Sequence, residues 1–229
     1  MSPTELPPSP WVFNSRVWPD DDCVAIGADL EPATIVAAYS AGAFPMPHDD
    51  VDEMLWWSPC ERGVLRIEDL VVSRSLRKSR TRLHVTIDES FDEVIAACAD
   101  PRRTGAWIDG QIMTAYLELH RLGWAHSVET RDGEGRLVGG LYGLAIGGLF
   151  AGESMFHTAT DASKVALMGL VEVLDDGVER LIDVQWRTDH LATLGVSTMS
   201  RNAYVEALPE LIRRPLPEIW RKNARNADE

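Results

Sequence analysis

The chain has 229 residues, 45% hydrophobic and 25% charged, enough for one large domain or a small domain beside a larger one. A formal net charge of −14 argues against a wholly nucleic-acid-binding surface, and the apolar stretches are too short and interrupted to span a bilayer. Three separated cysteines and six scattered histidines offer no metal-ligand spacing and suit a reducing cytoplasm, so neither a metal nor another cofactor is expected.

In chain order, MSPTELPPSP lacks a basic start and a following apolar run, so it does not read as a secretory signal. The next stretch is irregular: an acidic run at Asp20–Asp22, a short helix over Glu31–Ala41, the stiff AGAFPMP, then WWSP at Trp56–Pro59. Pro32 early in that helix and Gly42 beyond its end are ordinary start and stop signals. The pattern becomes regular near Glu61, which divides the chain into a small N-terminal domain, 1–62, and a second domain, 63–229.

Between Val71 and Ile87 lie five basic residues and no acid: Arg74, Arg77, Lys78, Arg80 and Arg82. They form either a solvated helix or loop face, or a phosphate-contacting patch that steers RNA to one surface of an acidic protein. A strand over Leu83–Ile87 and a helix over Phe91–Cys98 follow, and Asp109 is placed to cap a helix from Gln111 to Leu122. Ala125–Thr130 and Arg136–Ile146 read as strands joined by a turn at Asp132–Gly135, and Gly148–Phe156 as another. Asp161 to Leu174 carries a wide apolar helical face, Arg180–Trp186 is a strand, and Tyr204–Arg213 is a late helix. This order predicts a mixed α/β (α+β) layer architecture.

Three constellations stand out. Glu153 lies in LFAGESMFH between Gly152 and Ser154, beside Met155 and near Phe150; it sits on a solvent face or at a ligand. Asp183 and Gln185 interrupt an apolar strand two residues apart, so regular alternation puts them on one face. A carboxylate among apolar neighbours needs partners or a task. One helix separates the two polar strands, so they are expected to lie side by side around a concave site lined by Met155, Phe156, Leu167 and Ile182. Trp56, Trp57 and Trp107 stand outside strongly periodic segments, as core plugs or as platforms for an unpaired base.

FPMP…LWWSPCERGVL, TGAWI, AHSVE, LVGGLYGLAIGGLFAGESMF, DASKVAL and LIDVQ…DHLATLGV, in that order, resemble the leucyl/phenylalanyl-tRNA–protein transferase family over roughly residues 20–208. The resemblance implies an acetyltransferase-like (GNAT-type) catalytic domain in a cytoplasmic bacterial-type enzyme, and a monomer is the expectation. Such an enzyme moves Leu, Phe or, more weakly, Met from charged tRNA onto proteins beginning with Arg or Lys, marking them for N-terminal-residue-directed degradation. It also implies that Asp183 and Gln185 are the catalytic pair and Glu153 the acidic substrate-site residue. Phe150, Gly152, Met155, Leu167, Leu170 and Ile182 would line the aminoacyl pocket, Trp57 and Trp107 would flank the terminal adenosine, and the five basic residues would face tRNA. The chain departs from the family pattern at Met46, Leu141, Leu170 and Thr188, positions that bear on Leu-versus-Phe preference.

The chemistry fits these residue types. Aminolysis of an activated ester needs neither ATP nor a metal, and an α-amine with a pKa of about 7.7–8.0 needs modest base assistance and alignment. On this reading Asp183 attracts and orients the amine, the Gln185 carbonyl accepts its proton-bearing bond, and Glu153 favours a cationic first residue. An acyl-CoA-dependent N-acetyltransferase and a non-enzymatic RNA-binding module are the competing readings. HTATDASKVAL contains no glycine where a pyrophosphate loop would need it, and no RNA-module signature is present.

Overall fold

A computed structural model provides the architecture and describes residues 2–103, 105 and 107–222. The N-terminal portion contains β1 (Cys23–Ile26), α1 (Pro32–Ala41), β2 (Phe44–Pro45) and β3 (Leu55–Trp57). Its strands form a small antiparallel sheet in the order β1-β3-β2. Pro32 opens α1, where its missing N–H costs nothing, and Gly42 ends it with φ 100°, a left-handed cap that glycine adopts without strain.

A seven-stranded sheet follows, built from β4 (Glu61–Arg66), β5 (His84–Ile87), β6 (Ala125–Arg131), β7 (Leu137–Ile146), β8 (Leu149–His157), β9 (Leu181–Gln185) and β10 (Ser197–Ser200). Its order is β10-β4-β9-β8-β7-β6-β5. Every pairing is antiparallel except β8 with β9, which α5 (Ala162–Leu174) connects. The remaining helices are α2 (Arg74–Arg80), α3 (Phe91–Cys98), α4 (Gly110–Arg121), α6 (Asp189–Ala192), α7 (Arg201–Leu211) and α8 (Glu218–Lys222). Asp109 caps α4 as its position predicts, its Oδ1 accepting from the Gln111 and Ile112 N–H groups at 2.8 Å.

Side-chain alternation sorts strand residues between cores. Val128, Leu141, Phe150 and Ile182 pack with Val165, Leu167 and Leu170 of α5. Their strand neighbours Tyr142 and Ala151 pack with Val94 of α3, Ile112 and Tyr116 of α4, and Ile35, Tyr39 and Trp56 of the N-terminal portion. Residues on both sides of position 62 therefore share one core. Val64, Leu149 and Leu181 bury the apolar face of α7 through Tyr204, Leu208 and Leu211.

Two features escape the periodicity reading. The strands β1 to β4 and β10 are two to six residues long, too short for a period to register. The basic segment settles into α2, where Ser73 caps the helix by accepting from the Leu76 N–H. Among the described residues, no helix is long and apolar enough to cross a membrane.

Candidate active site

The polar strands do lie side by side. β8 and β9 pair through Leu149↔Leu181, Phe150↔Ile182 and Ala151↔Asp183, and pairing stops there. Beyond that point the strands part, leaving Gly152 to Met155 half-buried along an open edge. Glu153 and Gln185 each stand two residues past the last pair, on opposite lips of the opening. Gly152 keeps the opening clear, since a Cβ there would approach only the Asp183 carbonyl, at 3.6 Å, and the Phe150 ring edge.

Each lip is irregular. On β8, Tyr142 pairs with Ser154 and Gly143 with Gly152, so Glu153 is a bulge residue with no partner on β7. On β9, Val64 pairs with Asp183 and Gly63 with Gln185, which leaves Val184 bulged. The Trp186 N–H then donates to the Val184 carbonyl at 2.7 Å, and Gln185 has φ 58°. Gln185 is thus the centre of a γ-turn in its rare positive-φ form. The turn carries the backbone of Trp186 and Arg187 across Gly63, where a Cβ would meet Arg187 N at 2.7 Å. That position therefore excludes any side chain.

Asp183 corrects the expectation that it meets the acceptor amine, because it faces the protein interior. The residue is 0% exposed. Arg62 grips it with both arms, Nε to Oδ1 at 2.8 Å and Nη2 to Oδ2 at 2.6 Å. The Tyr204 hydroxyl donates to Oδ2 at 2.8 Å, and the backbone N–H of Gln185 donates to Oδ1 at 2.9 Å. A carboxylate has about four lone-pair sites, and all four are taken. Its link to Gln185 runs to the main chain rather than to the side-chain amide. The bulge and the γ-turn also break the strand alternation that would put the two side chains on one face.

Gln185 is 8% exposed, and its Nε2 has no hydrogen-bond partner. An unpaired buried amide costs about 1–3 kcal/mol, a penalty that a bound water or a ligand removes by completing the bond. Glu153 Oε1 accepts from the Tyr39 hydroxyl at 2.6 Å, and Tyr39 bonds Tyr116 at 2.7 Å. Burial pushes the Glu153 carboxyl up to about 8; the bonds from Tyr39 and Tyr116 pull down, the Asp183 charge pushes up and Arg62 pulls down. Burial first, and then the Glu153 charge, hold both tyrosines protonated well above their ordinary range.

The expected pocket walls divide. Met155 and Gly152 are half-buried at the open edge, whereas Phe150, Leu167, Leu170 and Ile182 are closed into the packed α5 core. Those four form the apolar floor beneath the opening. Trp57 is half-buried, donates from Nε1 to the Met46 carbonyl at 2.8 Å, and meets Trp186 edge-on at 6.1 Å. Trp107 lines a cavity of about 950 Å³ together with Met46, His48 and Asp52. Arg74, Arg77, Lys78 and Arg82 are exposed on or just after α2. Arg80, half-buried beside them, pairs with Glu172 of α5, Nη2 to Oε2 at 2.9 Å. Arg103 reaches the opening as well, donating to the Met155 carbonyl.

Sequence reasoning passed over Arg62, Tyr39, Tyr116 and Tyr204. One signal was available for Arg62: a buried acid needs a cation, and an arginine leading into the apolar run Val64-Leu65 is a ready source. The tyrosines lie on helix faces indistinguishable from ordinary core.

Comparison with known proteins bears on this arrangement. The family model described as leucyl/phenylalanyl-tRNA protein transferase matches residues 64–209, and the model for that family's N-terminal domain matches residues 28–60. A leucyl/phenylalanyl-tRNA–protein transferase of Stutzerimonas stutzeri is 48% identical over 202 residues, covering 86% of this chain and 88% of the relative. One from Psychrobacter cryohalolentis is 43% identical over 217 residues, covering 88% and 78%. Another, from Chromobacterium violaceum, is 41% identical over 224 residues, covering 92% and 95%. Among solved structures, L-PGS from Bacillus licheniformis overlays with a TM-score of 0.40 and 11% identity, covering 71% of this chain and 55% of that one. On the two family models and these relatives, the chain belongs to the leucyl/phenylalanyl-tRNA–protein transferase family.

Proposed function

We propose that the opening between β8 and β9 aligns the α-amine of a polypeptide beginning with Arg or Lys against the ester of Leu-, Phe- or, more weakly, Met-tRNA. The overall activity is that of the family, aminoacyl transfer from tRNA to protein, which underlies the N-end rule pathway. The amine nitrogen bonds to the ester carbonyl carbon, the bond to the ribose oxygen breaks, and the amine proton ends on that oxygen or on solvent.

The observation that carries this reading is the pair of lips: where the two strands stop pairing, one carries an amide with an unpartnered Nε2 and the other a half-buried carboxyl. In our assignment Gln185 orients the reaction. Its carbonyl accepts from the amine, and its free Nε2 donates to an oxygen of the aminoacyl group. Asp183 acts through the backbone of Gln185. Glu153 receives the charged end of the acceptor's first residue. Met155 and Gly152 meet the aminoacyl side chain over the α5 core, an apolar surface that rewards Leu and Phe by burial at about 25 cal/mol per Å². Trp57 and Trp107 stack against the terminal adenosine, while Arg74, Arg77, Lys78 and Arg82 hold tRNA phosphates without reading sequence.

We further read the seven-stranded sheet as acetyltransferase-like, residues 1–62 and 63–229 as two domains, and the enzyme as a cytoplasmic monomer, the compartment where charged tRNA is made. Incubation with labelled Leu-tRNA and an Arg-starting peptide tests the proposal. Labelled peptide is expected, and transfer that survives Gln185→Gly undiminished refutes the site. Labelling from acetyl-CoA instead would favour the acetyltransferase reading.

A further inference from the structure

We infer that Arg62 is a positioning residue for the transfer reaction: through Asp183 it fixes the γ-turn that presents Gln185. This rests on the role given to Gln185 above.

Arg62 is 1% exposed and has no direct access to a substrate. Two of its nitrogens fork onto both oxygens of Asp183, a planar match that arginine makes and lysine cannot. The third, Nη1, donates to the Gly42 carbonyl at 3.1 Å, at the left-handed cap that ends α1. The guanidinium lies over the Tyr204 ring at 4.5 Å and the Phe44 ring at 4.9 Å. It is thus held by two aromatic rings and at every nitrogen. Tyr204 contributes twice, as a ring under Arg62 and as a hydroxyl on Asp183 Oδ2.

What remains of Asp183 after these contacts is one bond, which Oδ1 accepts from the Gln185 N–H. That bond holds a backbone in a conformation non-glycine residues avoid, at the point where the sheet opens. Buried ion pairs contribute little net stability over apolar replacements, whereas they do fix geometry in favourable cases. Here the geometry they fix is the direction of Gln185. Coupling also runs outward: α1 supplies both the Gly42 carbonyl and Tyr39, so one helix end steadies both lips of the opening.

The test is a cycle of single-turnover transfer rates, with Leu-tRNA and an Arg-starting peptide, over wild type, Arg62→Gln, Gln185→Gly and the double variant. Displacing a reacting group by about 1 Å costs roughly 100-fold. Arg62→Gln is therefore expected to slow transfer about 100-fold at saturating substrates, with Leu-tRNA affinity within about 3-fold of wild type. In the Gln185→Gly background the same substitution should slow transfer by less than about 3-fold. Equal losses in both backgrounds, with Gln185→Gly itself impaired, overturn the Arg62 proposal and leave Gln185 standing. A Gln185→Gly enzyme as fast as wild type overturns the reading of Gln185, and the Arg62 proposal falls with it. If Arg62→Gln does not fold, Tyr204→Phe takes its place in the same cycle, since it deletes one bond to Asp183 and keeps the ring. A loss confined to the Gln185 background then supports the proposal, and equal losses in both backgrounds overturn it.

Discussion

Glu153 lends itself to a quantitative test because its charge state and the task proposed for it are opposed. With its carboxyl pushed up to about 8 by burial, it is mostly neutral at pH 7 in the empty site. An arginine or lysine side chain stays cationic throughout the accessible range, and a cation within a few ångströms favours the carboxylate. Acceptor binding must therefore expel a proton. For a pKa of about 8, about one site in eleven is ionised at pH 7 and about ten in eleven at pH 9. The affinity for an Arg-starting peptide should rise about 10-fold over those two pH units, with about 0.9 proton released per peptide at pH 7.

Calorimetric titration in buffers of different ionisation enthalpy measures the release, and the acceptor KM in steady-state transfer measures the affinity trend. The peptide's own α-amine also titrates near pH 8, but it does so equally against Glu153→Gln. The informative quantity is the difference between the two proteins. Wild type and Glu153→Gln releasing the same number of protons would refute the placement of the acceptor cation at Glu153.

The same group predicts a stability signature. Between about pH 5 and 8 the folded chain keeps a proton on Glu153 that the unfolded chain has lost, so folded stability falls as pH rises. In Glu153→Gln that component is absent, and thermal melts should show the variant gaining on wild type up to pH 8 and holding level above it. Gln185→Gly should cost at least about 100-fold in transfer rate while the melting temperature stays level or rises, since a left-handed backbone costs an ordinary residue about 1–2 kcal/mol. A large drop in melting temperature would show that the turn is not strained. Neutralising Arg74, Arg77, Lys78 and Arg82 together should weaken binding of different Leu- and Phe-accepting tRNAs alike and lower the log–log salt slope by up to about 3. Binding assays that show loss for one tRNA alone would contradict a phosphate-only role.

The legible parts of the fold were those with a period and a punctuation mark. Asp109 before an apolar stripe marked α4, Pro32 and Gly42 bracketed α1, and a continuous apolar face marked α5. The adjacency of the GESM and DVQ strands followed from the single helix between them. The local geometry of the site was not legible, because both lips depart from the pleat that sequence arguments assume. Alternation counts residues, and a bulge changes the count: Glu153 and Val184 are each the extra residue. The need for a partner to Asp183 could be read from its surroundings, but choosing Arg62 required knowing that β4 borders β9, although the two residues lie 121 positions apart. Arg80 looked free because Glu172 faces it from a helix more than ninety residues away.

These departures answer one electrostatic problem. The enzyme must bring a polyanionic donor and a cationic acceptor to the same few ångströms, on a chain whose formal charge is −14. A site holding two bare carboxylates would attract the acceptor and repel the RNA. Asp183 avoids this by being matched one-for-one with Arg62, out of solvent, where its charge serves geometry. In the proposed role, Glu153 avoids it by staying protonated beside Tyr39 and Tyr116 until the acceptor's cation takes the proton's place. The opening then carries about zero net charge both before and after the acceptor binds. On the proposed reading, attraction for tRNA is left to α2, at the surface, where it acts on phosphates without distorting the chemistry.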